Sequence, residues 1–231
     1  MRDGPPRKLP PLRNGVPGRK PSGPAGRPAW VRPEDDPPGT SRLFVAIPVA
    51  DEVRRAVGQL MEAVAGAPID ARAYGQPRWV RVDGLHLTLK FLGPTPDVRQ
   101  QELATALQVA AEGVSPFTVS LNGGGTFPHP AAPRVLWMGI TEGVPELGSL
   151  AARLSAELQR LGWAPDDRPF QPHLTLARTD GVPGAAERGR KLVELARDVR
   201  LTWQADRMVL YRSVLGRGPA QYESVAEAPL G

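Results

Sequence analysis

At 231 residues, with 41% hydrophobic and 23% charged side chains and a formal charge of +5, the chain has the make-up of one generous domain or a domain with a tail. It contains no cysteine, which excludes disulfides, thiolate-bound zinc, iron–sulfur clusters and thiol nucleophiles. No apolar run approaches the roughly 18 residues a membrane span needs, and no apolar stretch follows the charged N-terminus as a signal peptide requires, so a soluble, cytoplasmic chain is expected.

Residues 1–40 hold eleven of the 27 prolines and alternate them with Gly and Arg or Lys. Within 1–33, eight basic residues face the single Asp3, so the rest of the chain nets −2 and the basic balance belongs to this segment. Too few aliphatics are present to offset the entropy of ordering it. A disordered basic tail over 1–40 and a domain over 41–231 are therefore expected. Such a tail either adds weak, salt-sensitive attraction to phosphates or is a bland N-terminal extension.

Regular structure is expected to begin with a strand at Arg42–Ile47, stopped by Pro48. Asp51 stands where an N-cap would, ahead of Val53, Val57, Leu60, Met61 and Val64 at helical spacing. Strands follow around Arg78–Val82 and Leu85–Leu92, and Thr95-Pro96 reads as the start of a helix that buries Leu103, Ala106, Leu107 and Ala110. Pro116–Leu121 and Arg134–Ile140 read as strands, and Leu147, Leu150, Leu154, Leu158 and Leu161 mark an amphipathic helix. Strands at 173–178, 200–204, 206–214 and 221–226 and a helix at 187–197 complete the pattern. Several strands adjoin without crossover helices, which points to an α+β fold with mainly antiparallel sheet.

The sequence repeats one short motif. His86-Leu87-Thr88-Leu89 recurs 87 residues later as His173-Leu174-Thr175-Leu176, and these take two of the three histidines in the chain. Side chains two apart on a strand share a face, so His86 and Thr88 point one way while Leu87 and Leu89 point into a core. His173 and Thr175 repeat the arrangement. If the fold is duplicated about a pseudo-twofold axis, two imidazoles and two hydroxyls converge across a groove.

Two histidines titrating near neutrality can serve as one base and one acid, and threonine hydroxyls donate to anionic oxygens. A phosphodiester under in-line attack uses such a set, with neither metal nor covalent nucleophile. The bland alternative, two unrelated strand histidines, does not account for their matched positions. A metal site is the other competitor. Asp166-Asp167 are the nearest carboxylates, but zinc wants three or four firm ligands and no third is evident, so no metal and no cofactor are expected.

These blocks resemble the two-histidine (2H) phosphoesterases, specifically the RNA 2′,3′-cyclic phosphodiesterases, or LigT-like 2′-5′ RNA ligases. The resemblance covers nearly all of 41–231. It runs through Arg42–Ile47, Leu85–Gly93, Phe127-Pro128, Pro133–Gly139, Arg168–Arg178 and Leu210–Ser213 to Tyr222. It implies a bilobal, pseudo-symmetric α+β fold with two mainly antiparallel sheets facing a central groove and helices outside. It also implies hydrolysis of RNA 2′,3′-cyclic phosphate ends to 2′-phosphomonoesters, with reverse 2′-5′ ligation. In that scheme His86 is the proton donor, His173 the proton acceptor, and Thr88 and Thr175 hold the phosphate oxygens. The residues themselves leave open which histidine does which.

The implied partner is RNA with a 2′,3′-cyclic phosphate end, acted on by a monomer with no membrane role. A small cyclic nucleotide as substrate, such as an ADP-ribose cyclic phosphate, and a non-catalytic RNA-end binder are the alternatives. Three further residues are candidates for substrate binding. Arg178 matches a basic position of the family, although strict alternation puts it on the Leu174/Leu176 face. Lys90 falls on the His86/Thr88 face by the same alternation. Phe44 either stacks on a base or packs. His129 reads as exposed and non-catalytic, Gly123-Gly124-Gly125 as a turn with no P-loop lysine, and Trp137 and Trp203 as core.

Overall fold

β1 (Thr40–Pro48) opens a run of nine strands and four helices in a computed structural model that describes residues 36–69, 77–179, 183–214 and 219–231. Residues 1–35 of the expected tail lie outside the described residues. Asp36 already belongs to the compact unit Asp36–Gly231, its carboxylate paired with Arg42 at 2.6 Å. No helix among the described residues is long and apolar enough to cross a membrane.

The elements after β1 are α1 (Asp51–Gly66), β2 (Arg78–Trp79), β3 (His86–Pro96), α2 (Gln100–Ala111), β4 (Phe117–Phe127) and β5 (Val135–Glu142). Then come α3 (Val144–Arg160), β6 (His173–Arg178), α4 (Pro183–Leu195), β7 (Arg200–Ala205), β8 (Arg207–Val214) and β9 (Gln221–Pro229). They make an α+β fold of two antiparallel sheets, one ordered β3-β1-β8-β9 and the other β2-β6-β5-β4-β7. Each motif strand thus lies in its own sheet, and β3 of the first sheet contacts β6 of the second.

The apolar faces of the strands and the apolar stripes of the helices close one core. Leu43, Val45 and Ile47 of β1, Leu87 and Leu89 of β3, Leu174 and Leu176 of β6, and Leu147, Leu150, Leu154 and Leu158 of α3 are all buried in it. Helix α1 is capped by the extended backbone of Ala50 rather than by Asp51. The Asp51 and Glu52 carboxylates instead occupy the first turn, where the helix dipole favours negative charge.

Three local expectations are corrected. Thr95-Pro96 ends β3 rather than opening a helix; a 3-10 turn, Asp97–Arg99, intervenes before α2. Gly123-Gly124-Gly125 is not a turn but part of β4, where the register slips between Asn122 and Gly124. The strand expected at Arg78–Val82 shrinks to Arg78–Trp79, because Val82–Gly84 wind into a 3-10 turn just before His86.

Candidate active site

The two histidines are held alike. His86, the first residue of β3, donates from Nδ1 to the Gly84 carbonyl at 2.7 Å, and His173, the first residue of β6, donates from Nδ1 to the Gln171 carbonyl at 2.7 Å. A carbonyl only accepts, so each bond fixes the Nδ1–H tautomer and leaves Nε2 free to take or give a proton. Thr88 and Thr175, two residues on, are half-buried and share a face with their histidines. Among the described residues neither hydroxyl has a hydrogen-bond partner, so both are available to a ligand.

One residue further on, both strands break the alternation. Val45 pairs with Lys90 and Ala46 with Thr88, so Leu89 is an extra residue in β3. Leu136 pairs with Ala177 and Trp137 with Thr175, so Leu176 is an extra residue in β6. A β-bulge at the third residue after each histidine reverses the faces beyond it. That overturns strict alternation at two positions, against the Lys90 candidate and in favour of Arg178. Lys90, the partner of the core residue Val45, leaves the His86/Thr88 face and is 6% exposed. Its Nζ donates to the Ala164 carbonyl at 3.0 Å and pairs with Asp166 at 2.9 Å, so it is committed away from substrate. Arg178, the partner of Val135, turns onto the Thr175/Trp137 face despite strict alternation.

Arg178 also brings the two motifs into one field. Its positive charge disfavours protonation of both His86 and His173, and it acts on Tyr222 as well. Burial is the larger cause in each case. Desolvation, only partly countered by the Gly84 carbonyl, drives His86 from 6.5 down to about 4. His173 is lowered in the same way, by burial first and Arg178 last, with the Gln171 carbonyl opposing.

Phe44 is corrected as a base-stacking candidate. At 3% exposure it has no free face, and its ring lies 4.7 Å from His86, 5.3 Å from Tyr211 and 5.1 Å from Tyr222. It packs beneath His86, as Tyr222 does edge-on at 5.0 Å. Around His173 the corresponding walls are Phe127, edge-on at 5.2 Å, and Trp137 at 6.4 Å. Trp137, expected in the core, is half-buried in this wall because β5 presents it beside Thr175, whereas Trp203 is core as expected. Phe91, the partner of Phe44 after the bulge, stands 61% exposed on the groove side.

Tyr211, Tyr222, Phe127, Trp137 and Phe91 escape a motif reading because no spacing marks them. Cross-strand register brings them to the histidines, and the bulges that set it leave no signature in the sequence. His129 is exposed, its Nδ1 accepting from the Ala131 amide at 3.2 Å. Among the described residues, no three His, Asp or Glu side chains cluster as metal ligands.

A family model described as the 2′-5′ RNA ligase superfamily matches residues 43–217. An RNA 2′,3′-cyclic phosphodiesterase of Geobacillus stearothermophilus is 31% identical over 193 residues, which cover 82% of this chain but 57% of the relative. The chain thus spans little more than half of that protein's length. The Thermotoga maritima enzyme of the same name is 30% identical, covering 75% of this chain and 87% of its own. Among solved structures, a Thermus thermophilus protein superposes with a TM-score of 0.63 at 27% identity, covering 82% of this chain and 97% of its own. Escherichia coli LigT complexed with 3′-AMP superposes at 0.60 and 27%, covering 83% and 98%.

Proposed function

The chain belongs to the 2′-5′ RNA ligase superfamily, and from that premise we propose that it hydrolyses the 2′,3′-cyclic phosphate at an RNA end to a 2′-phosphomonoester. The observation that carries the reading is the matched pair of Nδ1–H imidazoles. Each has a free Nε2 and an unspent threonine hydroxyl beside it, and Arg178 acts on both.

In this mechanism His173 takes a proton from water through Nε2 as the water oxygen attacks phosphorus. The bond to the ribose 3′-oxygen breaks, and His86 Nε2 supplies the proton that oxygen needs. Thr88 and Thr175 donate to the non-bridging oxygens, and Arg178 balances the charge that builds there. Before substrate binds, both imidazoles are neutral at pH 7, and the lower value at His86 favours a first proton on His173. For His86 to be the donor, the bound phosphate anion must lie closer to its Nε2 and lift its affinity for a proton above that of His173. After turnover the proton on His173 returns to solvent and His86 is recharged. With an RNA 5′-hydroxyl in place of water, the same groups in the same roles would join it to the cyclic end through a 2′-5′ bond as the 3′-oxygen departs, and run in reverse they would cleave that bond back to the cyclic phosphate.

The test is a short RNA with a 2′,3′-cyclic phosphate, incubated in EDTA and resolved for 2′- and 3′-phosphate products. A 2′-phosphate is expected, with kcat reduced about 10²–10⁴-fold in His86→Ala and in His173→Ala. A 3′-phosphate product, or undiminished turnover in both variants, would overturn the mechanism.

A further inference from the structure

The bulge that turns Lys90 away from the groove gives it a different task. β3 carries His86, and the segment 161–172 links the end of α3 to His173 at the head of β6. From Ala164 to Pro172 no backbone–backbone hydrogen bond holds that segment among the described residues. Side chains hold it instead: its own Phe170 packs against the core, and two cations reach it from the first sheet's side. Lys90 reaches out of β3 to the Ala164 carbonyl and Asp166. Arg99, in the 3-10 turn after β3, donates to the Leu161 carbonyl at 2.7 Å and lays its guanidinium 3.9 Å over the Trp163 ring.

Downstream the segment is stiffened by Pro165, Pro169 and Pro172, whose fixed φ leaves few ways to absorb a displacement. It ends at the Gln171 carbonyl that sets the tautomer of His173. The equivalent of Lys90 after the second motif is Ala177, so the second strand sends no such cation back.

We propose that Lys90, supported by Arg99, is a positioning residue that ties the strand of His86 to the segment orienting His173, so that the two imidazoles keep their relation across the groove. The inference rests on the two-histidine reading of the site. Lys90 touches no substrate; it acts through Ala164, Asp166 and Gln171. A small shift of a base is enough to matter, since about 1 Å of misplacement can cost two orders of magnitude in rate.

The experiment compares Lys90→Met, Lys90→Arg and Asp166→Asn with the full-length parent. Methionine keeps an apolar stem in the buried position, and Asp166 is exposed, so no charge is stranded inside. On a cyclic-phosphate RNA, kcat is expected to fall about tenfold in Lys90→Met, with KM moving less than about twofold and Lys90→Arg restoring most of the loss. The second readout is independent of turnover. The chain has three histidines, so long-range proton–nitrogen NMR can follow each ring. In Lys90→Met the His173 ring should lose its pure Nδ1–H tautomer. It should also titrate lower than in the parent, because the opposing help of the Gln171 carbonyl is weakened while burial and Arg178 remain; His86 should stay unchanged.

If Lys90→Met does not fold, Asp166→Asn must show the same His173 changes at reduced size. An unaltered His173 ring with normal kcat overturns the proposal. So does a raised KM at constant kcat, which would put Lys90 on the substrate. A parent inactive on the cyclic phosphate would sink the proposed function, and the NMR result would still decide the tie.

Discussion

Each motif strand starts with a histidine bonded to a carbonyl two residues back, carries a threonine on the same face and bulges at the third residue after the histidine. Beyond the bulge the two part. The first presents Lys90 inward and Phe91 outward; the second presents Ala177 inward and Arg178 outward. His86 sits in an aromatic box of Phe44, Tyr211 and Tyr222, while His173 is walled on one side by Phe127 and Trp137. Two like strands thus hold two imidazoles in the same way, and the unequal side chains make one half the cation side and the other the aromatic side. A cyclic phosphate at the end of a nucleoside is unequal in the same way, with charge at one end and a ring at the other.

Removing the cation is the strongest way to break that asymmetry. Arg178→Met should lower kcat/KM by about 10²-fold, the scale of one lost donor to a developing charge. It should also raise the pKa of His86 and of His173 together, since Arg178 lowers both. NMR titration of the two rings checks the second part without substrate. A shift at His173 alone would mean that Arg178 does not span the groove.

The shifts also fix a pH profile. In the proposed mechanism turnover needs one proton on the histidine pair, so kcat/KM, which reports the free enzyme, should rise through the lower value and fall through the upper. The lower limb is set by His86 at about 4, and the upper by His173, below the ordinary 6.5. The optimum of kcat/KM should therefore lie on the acid side of 6.5, falling about tenfold per pH unit above the upper limb. A bound phosphate anion favours both protonated forms, so the kcat profile should sit at higher pH. A kcat/KM optimum above pH 7 would contradict the burial of the two rings.

Much of this is legible in the amino-acid order. The apolar stripes announce α1 and α3, and the repeated H-x-T marks both histidines, both threonines and the separation of polar from apolar faces. The blocks around them lead to the family. Beyond Thr88 and Thr175 the reading fails for one physical reason. Alternation assumes an unbroken ladder, and a single extra residue at Leu89 and at Leu176 inverts it. Strict alternation therefore assigns Lys90 to the groove and Arg178 away from it, the reverse of what is found. For Phe44 the sequence leaves stacking on a base and packing both open, and packing is what is found. A large ring on the groove face of β1 can stack on a base only if neighbouring strands leave it bare, and Tyr211 and Tyr222 arrive from about 170 residues away in sequence to cover it.

The smallest expected effect sharpens the His173 half of the comparison. In β4, Gly125 pairs with Trp137, and the indole lies flat against it, so that a methyl group there would overlap the ring. The same indole stacks on Phe127 at 4.9 Å and meets His173, and its buried Nε1 has no partner among the described residues. Gly125→Ala must push the indole off its seat, at a cost of about 1–3 kcal/mol for overpacking, with a few-fold loss of kcat as the wall against His173 moves. Gly148→Ala is the control. Its added carbon meets nothing within 4 Å in α3, and the gain in helix propensity should stabilise the fold by up to about 1 kcal/mol. Paired denaturant unfolding and kcat measurements separate the two. If Gly125→Ala lost stability but kept its kcat, Trp137 would be packing only, and the orientation of His173 would rest on the Gln171 carbonyl alone.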